Sequence, residues 1–251
     1  MIYFVGAGPG DPDLITVKGA RLLAQAQVVV YAGSLVNKEL LSRCAPGTKI
    51  YNSANMTLQQ IIDVMIKAHQ AGQEVVRLHT GDPSLYGAIQ EQMDELRKAD
   101  VPFAVIPGVS SFVAAAAAIP HELTLPGVTQ TVILTRYKGR TAVPVAESMT
   151  GLAAHQATMC IFLSVHLIDQ LAKDLLAGGY PLDTPVLVVE KATWPDEQII
   201  SGTLDDITAR VKQAGITRTA MILVGASFKA DYTPSRLYDG NFNHGFREGG
   251  Q

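Results

Sequence analysis

A short turn in the first half of the chain carries the residues whose types and spacing best suit ligand chemistry. An apolar run enters the turn TGDP at residues 80–83, and a helix is predicted from about Ser84. Gly81 permits a tight turn and close backbone approach, while Pro83 fixes its own φ and disfavours a helical Asp82. A rigid turn with one negative charge suits a cationic ligand better than a phosphate. An ordinary strand-to-helix turn capped by Asp82 is the alternative.

Two further loops rich in glycine and proline also follow predicted strands. The strand Ile2 to Val5 enters the loop 6–13, and the strand Phe103 to Ile106 enters the loop 107–111. Strands and helices alternate through this half with short joins, which predicts a parallel sheet. Because ligands bind beyond the carboxyl ends of parallel strands, we expect these two loops and the loop 80–86 to converge at one edge.

The loop 6–13 resembles a dinucleotide-binding fingerprint but departs from it. The third glycine is replaced by Asp11, and Asp13 adds a second carboxylate where a pyrophosphate would lie. No acidic residue follows the second strand, Val28 to Tyr31, to bind a ribose diol. Helices are predicted over Leu14 to Gln25 and over Ser34 to Cys44, and Thr57 with Gln60 matches a capping box at the start of a further helix. A nicotinamide-dependent oxidoreductase is therefore the weaker alternative.

The stretch PHELTLPG at residues 120–127 is the predicted domain boundary, because its two prolines break the helical rhythm. We expect one α/β domain over 1–120 and another over 121–251. The second half has about five predicted strands but fewer helices, so its sheet is expected to be mixed. A helix capped by Ser164 is predicted to extend through Leu176.

Three cations follow the first predicted strand of the second half. They are Arg136, Lys138 and Arg140. Such a loop suits an acidic ligand, because guanidinium groups bind carboxylates through two parallel hydrogen bonds. A solvated basic loop remains equally open as an interpretation.

Composition narrows the function classes. The 251 residues are 47% hydrophobic and carry a net charge of −3 without a run of five Lys or Arg, which disfavours a nucleic-acid partner. No apolar run reaches about 18 residues and no signal peptide is recognised, so a membrane span is not expected. Cys44 and Cys160 have no neighbours at ligand spacing, which favours free thiols in a reducing cytoplasm and no metal site. The apolar surface favours a homodimer.

Seven stretches in order along nearly the whole chain resemble the tetrapyrrole methylase family of corrin and sirohaem synthesis. They are VGAGPGDPDLITVKG, YAGSLV, RLHTGDPSLYG, PGVSSFVAAAA, LPGVTQTVILTR, KATWPDEQIISGTLDDI and TAMILVG. Within the family, YAGSLV, LTRYKGRT, KATWPDE and SRLY are similar to the precorrin-4 and cobalt-precorrin-4 C11-methyltransferases of cobalamin biosynthesis. The cobalt-containing and metal-free substrates are not distinguished.

The resemblance implies two α/β domains, a parallel N-terminal sheet and a mixed C-terminal sheet, with the active-site cleft between them. It implies S-adenosylmethionine as methyl donor. Carried over by position, the donor contacts are Pro9, Gly81, Asp82, Pro83, Leu85, Tyr86, Ser110, Ser111, Phe162, Leu163, Ala192, Thr219 and Ala220. Charge assigns the acidic tetrapyrrole side chains to Arg136, Lys138 and Arg140.

Methyl transfer from a sulfonium requires mainly alignment of the two reactants, so no catalytic residue and no metal ligand is assigned. The alternatives kept open are another methylase on this scaffold, acting on uroporphyrinogen, another precorrin, ribosomal RNA or a protein histidine derivative. A tetrapyrrole carrier without catalysis is a third class, disfavoured because a carrier would not need the donor loops.

Overall fold

The structure, a computed structural model, describes residues 1–139, 141–228 and 232–248. Residues 1–118 and 191–198 form one compact unit, and the described residues of 119–190 and 199–251 form a second. The segment 191–198 thus belongs to the first unit although it lies in the second half of the chain. The division of the chain after residue 120 stays a prediction.

The first unit is built on a five-stranded sheet in the order β3-β2-β4-β1-β5. All pairings between its strands are parallel, as predicted. The strands are β1 Ile2–Gly6, β2 Val28–Tyr31, β3 Lys49–Asn52, β4 Val75–His79 and β5 Phe103–Ile106. The helices are α1 Val17–Gln25, α2 Leu58–Gln70, α3 Gln90–Lys98 and α4 Ser111–Ala118.

Helix α2 shows how local sequence sets an element of this unit. Thr57 Oγ1 accepts the Gln60 backbone N–H at 3.3 Å, and Gln60 Oε1 accepts the Thr57 N–H at 2.9 Å. This capping box satisfies two N–H groups that the first helical turn leaves unpaired, and it confirms the sequence pattern. Ile62 and Met65 lie on the apolar face of the helix and pack in the core on one side of the sheet.

Three predicted helices of this unit begin elsewhere or do not form. Helix α1 begins at Val17 rather than at residue 14, because Thr16 Oγ1 caps it by accepting the Gly19 N–H at 3.1 Å. The predicted helix 34–44 is two short 3-10 segments, 33–35 and 38–43. The helix expected from Ser84 begins only at Gln90, since Tyr86 and Ala88 have φ of 56° and 49° and cannot be helical.

The second unit contains the other five-stranded sheet, in the order β6-β7-β10-β8-β9. Strands β6 and β7 are parallel, whereas β10 is antiparallel to β7 and β8, so the sheet is mixed as predicted. The strands are β6 Val132–Arg136, β7 Thr158–Phe162, β8 Pro185–Glu190, β9 Gln198–Thr203 and β10 Ala220–Val224. The helices are α5 Met149–Ala153, α6 Ile168–Ala177 and α7 Ile207–Gln213.

Ser164 does not cap the helix that was predicted to follow it. Its hydroxyl donates to the Phe162 carbonyl at 2.6 Å and accepts the Tyr137 N–H at 2.8 Å. A 3-10 turn follows, and α6 begins at Ile168. The serine therefore joins the carboxyl ends of β6 and β7. None of the described helices combines the length and apolar character that crossing a membrane requires.

Candidate methyl-donor site

The loops that follow β1, β4 and β5 meet at one edge of the first sheet. Strand β1 lies between β4 and β5, so the carboxyl ends of all three strands are neighbours. Ala7 N–H donates to the His79 carbonyl at 2.6 Å, and Gly8 and Gly81 exchange two backbone hydrogen bonds of 3.3 and 2.8 Å. The predicted convergence is confirmed. We call residues 6–13, 80–86 and 107–111 the rim loops.

Three glycines allow the rim loops to touch through their backbones. A Cβ atom at Gly108 would lie 2.2 Å from the Gly81 carbonyl oxygen and 2.8 Å from Gly6 Cα. A Cβ atom at Gly6 would lie 2.6 Å from the same Gly81 oxygen. These separations are shorter than any side chain allows, so glycine is required at both positions for the rim to close.

Asp82 fastens two of the rim loops together. Its Oδ1 accepts the Ser84 N–H at 2.8 Å, and its Oδ2 accepts the Gly108 N–H at 2.9 Å. The first bond is the local cap considered from sequence, although no helix begins there. The second bond crosses between loops and could not be anticipated from local pattern. Hydrogen bonds to a carboxylate are stronger than neutral ones, so this side chain fixes the shape of the rim.

The first unit brings together nine of the predicted donor contacts. Pro9, Pro83 and Ser110 are buried, whereas Tyr86 is exposed. Ala192 reaches this unit as part of the segment 191–198. The nine are Pro9, Gly81, Asp82, Pro83, Leu85, Tyr86, Ser110, Ser111 and Ala192.

The second unit carries the other four predicted donor contacts at one end of its sheet. Phe162 ends β7, Leu163 follows it, and Thr219 and Ala220 lie at the start of β10, where Ala220 pairs with Glu190 at the end of β8. Leu163 is 61% exposed, so a large apolar side chain faces outward from this unit at a loop. An exposed leucine side chain is available to contact an apolar part of a ligand.

Among the described residues, five of the nine non-glycine positions with positive φ are predicted donor contacts or flank one. Tyr86, Leu163 and Thr219 have φ of 56°, 56° and 54°, and Lys191 and Thr193 on either side of Ala192 have φ of 50° and 70°. Positive φ is uncommon outside glycine and costs roughly 1–3 kcal/mol at each position. Such strain concentrates at ligand sites, where the surrounding structure imposes it.

Arg136 begins the loop that is predicted to bind an acidic ligand, and its side chain anchors that loop through two hydrogen bonds. Arg136 donates from Nη1 to the Thr141 carbonyl at 3.1 Å and from Nη2 to the Ala142 carbonyl at 2.7 Å. Arg136 also pairs in register with Phe162, so the loop lies beside the predicted donor contacts of this unit. Lys138 is exposed. Arg140 lies outside the described residues.

Two buried basic side chains at the end of β4, just before the rim loop 80–86, were missed from the sequence. Arg77 and His79 are each 4% exposed. Arg77 donates from Nε to Gln92 Oε1 at 3.0 Å and from Nη1 to the Val30 carbonyl at 3.1 Å. His79 stacks on Phe4, and its Nε2 has no hydrogen-bond partner among the described residues. Alternation of basic residues within an apolar strand was the only available signal.

Burial, together with the Arg77 charge, lowers the pKa of His79 to about 3. The imidazole is therefore neutral at physiological pH and adds no positive charge beneath a turn predicted to bind a cation. In the unfolded chain, His79 has its ordinary pKa of 6.5. Below that pH the unfolded chain therefore binds a proton that the folded protein does not bind. Stability contributed by this difference is present above pH 6.5 and is lost as the pH falls toward 3.

We expect the wild type to lose about 2 kcal/mol more of its free energy of unfolding than His79→Asn between pH 7 and pH 5. Other titrating groups are shared by both proteins and cancel in the comparison. Urea unfolding at the two pH values measures the difference. Equal losses in the two proteins would show that the folded state protonates His79 normally.

The two cysteines do not present a reactive thiol in this site. Burial raises the pKa of the Cys160 thiol to about 12 and also raises the pKa of the half-buried Cys44. A thiol must lose its proton to act as a nucleophile or metal ligand. Among the described residues, no three His, Cys, Asp or Glu side chains lie close enough to hold a metal ion.

Comparison with known proteins identifies the family. The model of the tetrapyrrole (corrin/porphyrin) methylases matches residues 1–208. The chain belongs to the tetrapyrrole methylase family. The family resemblance expected from the seven sequence stretches is thereby confirmed, as are the two α/β sheets that it implied.

Curated relatives cover nearly the full length of the chain. A cobalt-precorrin-4 C(11)-methyltransferase of Methanocaldococcus jannaschii is 55% identical over 98% of this chain and 96% of its own length. A precorrin-4 C(11)-methyltransferase of Pseudomonas aeruginosa is 47% identical over 99% of both chains. These two relatives thus differ in whether the precorrin-4 in their name carries cobalt.

Two solved structures of tetrapyrrole methylases align closely with the chain. The X-ray structure of a cobalt-precorrin-4 methyltransferase, 49% identical, covers 91% of this chain and 95% of its own with a TM-score of 0.89. A uroporphyrin-III C-methyltransferase of Thermus thermophilus, 29% identical, covers 91% and 93% with a TM-score of 0.75. The second of these proteins was crystallised as a complex with S-adenosylhomocysteine.

Proposed function

We propose that this protein is an S-adenosylmethionine-dependent C-methyltransferase that methylates C11 of cobalt-precorrin-4 or precorrin-4 in cobalamin biosynthesis. The observation that carries the proposal is the 55% identity with a cobalt-precorrin-4 C(11)-methyltransferase over 98% of the chain. S-Adenosylmethionine supplies, when bound, a methyl group already activated by its sulfonium charge. The work left to the protein is to hold the donor and the tetrapyrrole in line.

The rim loops fit a sulfonium donor better than a pyrophosphate. A pyrophosphate site of the dinucleotide type needs a helix N-terminus directly after the glycine loop, with its N–H groups available. Here α1 begins at Val17, well after β1 ends at Gly6, and Thr16 already accepts the Gly19 N–H. Asp82 places a carboxylate at the rim instead. These features support the methyl donor over a nicotinamide cofactor.

The predicted contacts have the chemistry that the donor requires. Asp82 supplies negative charge, Gly81 allows close backbone approach, and Ser110 supplies a buried hydroxyl. Exposed Tyr86 and Leu163 offer apolar surface. We assign the donor to these residues and to Pro9, Pro83, Leu85, Ser111, Phe162, Ala192, Thr219 and Ala220. No side chain is assigned as a general base.

Isothermal titration calorimetry separates the methyl donor from the nicotinamide alternative. We expect saturable binding of S-adenosylhomocysteine and no measurable heat with NADH. Binding of NADH without binding of S-adenosylhomocysteine would overturn the proposal. Uroporphyrinogen, precorrin-4 and cobalt-precorrin-4, each assayed as methyl acceptor, then distinguish the C11 reaction from another methylase on this scaffold.

The basic loop of the second unit is proposed to bind the acidic side chains of the tetrapyrrole. Arg136 orders this loop through two carbonyls, and Lys138 carries an exposed charge within it. Arg140 is retained in this role on charge alone. The support is that guanidinium and ammonium groups attract carboxylates, and that a segment already anchored through Arg136 loses little entropy when it binds.

We expect Arg136→Ala to raise the KM for the tetrapyrrole at least about tenfold, because the loop loses both its anchor and one charge. The affinity for S-adenosylhomocysteine should stay within about threefold of wild type. Arg136→Lys keeps the positive charge but cannot donate to both carbonyls as the guanidinium does. If ordering of the loop is the dominant effect, Arg136→Lys should raise the KM for the tetrapyrrole as Arg136→Ala does. Steady-state kinetics with each substrate varied measures both values.

Arg210→Ala is the matched control, because it removes an exposed arginine of the same unit that is paired with Asp206. It should leave both constants unchanged. Equal weakening of donor and tetrapyrrole by Arg136→Ala would reject the assignment of this loop to the acidic substrate.

We further infer that the protein is a homodimer located in the cytoplasm. Apolar side chains exposed in the C-terminal segment support a subunit contact. They are Tyr232, Leu237, Tyr238 and Phe246. Two cysteines without a disulfide support a reducing compartment. Light scattering should give about twice the 26.8 kDa chain mass, and a value of one chain mass would contradict the dimer.

A further inference from the structure

The segment 191–198 binds the first rim loop through contacts that local sequence does not reveal. Trp194 Nε1–H donates to the Pro9 carbonyl at 2.9 Å. The Asp11 backbone N–H donates to Thr193 Oγ1 at 2.9 Å. Some 185 and 182 residues separate the members of these two pairs. We call residues 191–198 the latch.

The indole ring of the latch also lies directly against Gly10. A Cβ atom at Gly10 would come within 2.1 Å of Trp194 Cδ1 and 2.3 Å of Nε1, so the ring occupies the space that any other residue at position 10 would need. On the same residue, Asn37 Nδ2 donates to the Gly10 carbonyl at 2.9 Å. Consecutive backbone groups of Pro9, Gly10 and Asp11 are thus each held by a distant side chain.

The latch is itself rigid and strained. Thr193 has φ of 70°, which is rare for a β-branched residue, and its N–H donates to Glu197 Oε2 at 2.6 Å. Lys191 has φ of 50° and forms an ion pair with Asp196. Strain of this kind persists only where surrounding contacts impose it, and the contacts here are those with the first rim loop and within the latch.

We propose that Trp194 and Thr193 are positioning residues for the methyl donor. They join the loop carrying Pro9 to the segment carrying Ala192, so that two donor contacts from distant parts of the chain form one surface. The inference rests on the proposed function, because it is the donor contacts at Pro9 and Ala192 that the latch aligns. Neither latch side chain needs to touch the donor itself.

Two variants remove one hydrogen bond each and leave the shape nearly unchanged. Trp194→Phe keeps an aromatic ring against Gly10 but lacks the N–H that binds the Pro9 carbonyl. Thr193→Val is isosteric and lacks the oxygen that accepts the Asp11 N–H. We expect each to raise the KM for S-adenosylmethionine about fivefold to tenfold, the effect of losing one half-buried hydrogen bond. The kcat at saturating donor and the KM for the tetrapyrrole should stay at wild-type values.

Thr48→Val is the matched control. Its hydroxyl donates to the Ala26 carbonyl at 2.9 Å in the same unit, so the change again removes one threonine hydrogen bond. We expect it to leave the donor KM unchanged even where it lowers thermal stability. A merely structural latch would make Trp194→Phe and Thr193→Val behave like this control, with lower stability and unchanged donor KM, and that result overturns the proposal.

Trp194 is the sole tryptophan of the chain, so its indole N–H gives one assignable NMR resonance. We expect S-adenosylhomocysteine to shift this resonance with a midpoint equal to the calorimetric Kd of the wild type. An indole signal that stays in place at saturating S-adenosylhomocysteine would overturn the coupling of latch and donor. If the wild type shows no calorimetric binding at all, the proposed function fails, and the latch proposal fails with it. If the wild type binds S-adenosylhomocysteine and the latch variants have an unaltered KM for S-adenosylmethionine, only the latch proposal fails and the proposed function stands.

Discussion

Gly108→Ala is expected to weaken binding of S-adenosylhomocysteine by up to about 100-fold. The new Cβ atom would lie 2.2 Å from the Gly81 carbonyl oxygen and 2.8 Å from Gly6 Cα. Both neighbours are backbone atoms of buried loops, so neither can move aside as a flexible side chain would. Overpacking costs roughly 1–3 kcal/mol, and strain of that size in the donor-bound rim weakens affinity by up to about 100-fold.

Calorimetry with S-adenosylhomocysteine measures this loss, and circular dichroism verifies that the variant is folded. Gly240→Ala is the matched control, because no atom lies within 4 Å of a Cβ atom there and its φ is not in the left-handed region. It should bind the ligand like the wild type. Undiminished binding by folded Gly108→Ala would mean that the contact between the rim loops is not needed for the donor.

Asp82→Ala is expected to weaken S-adenosylhomocysteine binding by at least about tenfold, through lost charge and a loosened rim. The carboxylate accepts backbone N–H groups of Ser84 and Gly108, and each hydrogen bond to a charged group contributes roughly 1.5–3 kcal/mol. Asp82→Asn keeps the size of the side chain but turns an N–H₂ group toward one of these donors. It should therefore lose both stability and affinity.

Thermal unfolding measures the stability of the protein with the altered rim, and calorimetry measures its affinity for S-adenosylhomocysteine. Asp63→Ala is the control, because Asp63 is exposed on α2 and accepts a hydrogen bond from Gln59 in the same helix. It removes the same charge from the first unit and should change neither value. If Asp82→Ala binds S-adenosylhomocysteine with wild-type affinity, the carboxylate has no part in the donor site.

Much of the fold follows from patterns that are local in sequence. Short joins between apolar strands predict a parallel sheet, and a parallel sheet places its loops at one edge, which is why the rim loops were expected to converge. The capping box of Thr57 and Gln60 is likewise complete within four residues. The predicted Asp82 cap formed its bond to Ser84 for the same reason.

The features that sequence reasoning missed depend on contacts between distant residues. A helix from Ser84 satisfies local propensity, yet tertiary structure holds Tyr86 and Ala88 at positive φ and delays α3 to Gln90. Ser164 looks like a helix cap until Tyr137 supplies a partner from another strand. Pairings of this kind have no periodic signature.

In the donor site, too, local sequence indicates some features, and contacts between distant residues determine the others. The motifs carried over by family resemblance named Pro9 and Ala192, but nothing in their neighbourhoods indicates that Trp194 joins the two segments. Likewise, the loop 107–111 was expected at the edge of the sheet, but nothing in its sequence indicates that Gly108 packs against the backbones of Gly6 and Gly81. Residue type is readable from the sequence, and the identity of the contacting partner is not.

The most direct test of the central claim is carbon NMR of the product formed from S-adenosylmethionine carrying a ¹³C-labelled methyl group. The protein is incubated with cobalt-precorrin-4 or with precorrin-4, and the labelled carbon is located on the macrocycle. We predict one labelled methyl group, bonded to C11, with one equivalent of S-adenosylhomocysteine released. Label at another ring carbon, or no transfer to either substrate, would contradict the account.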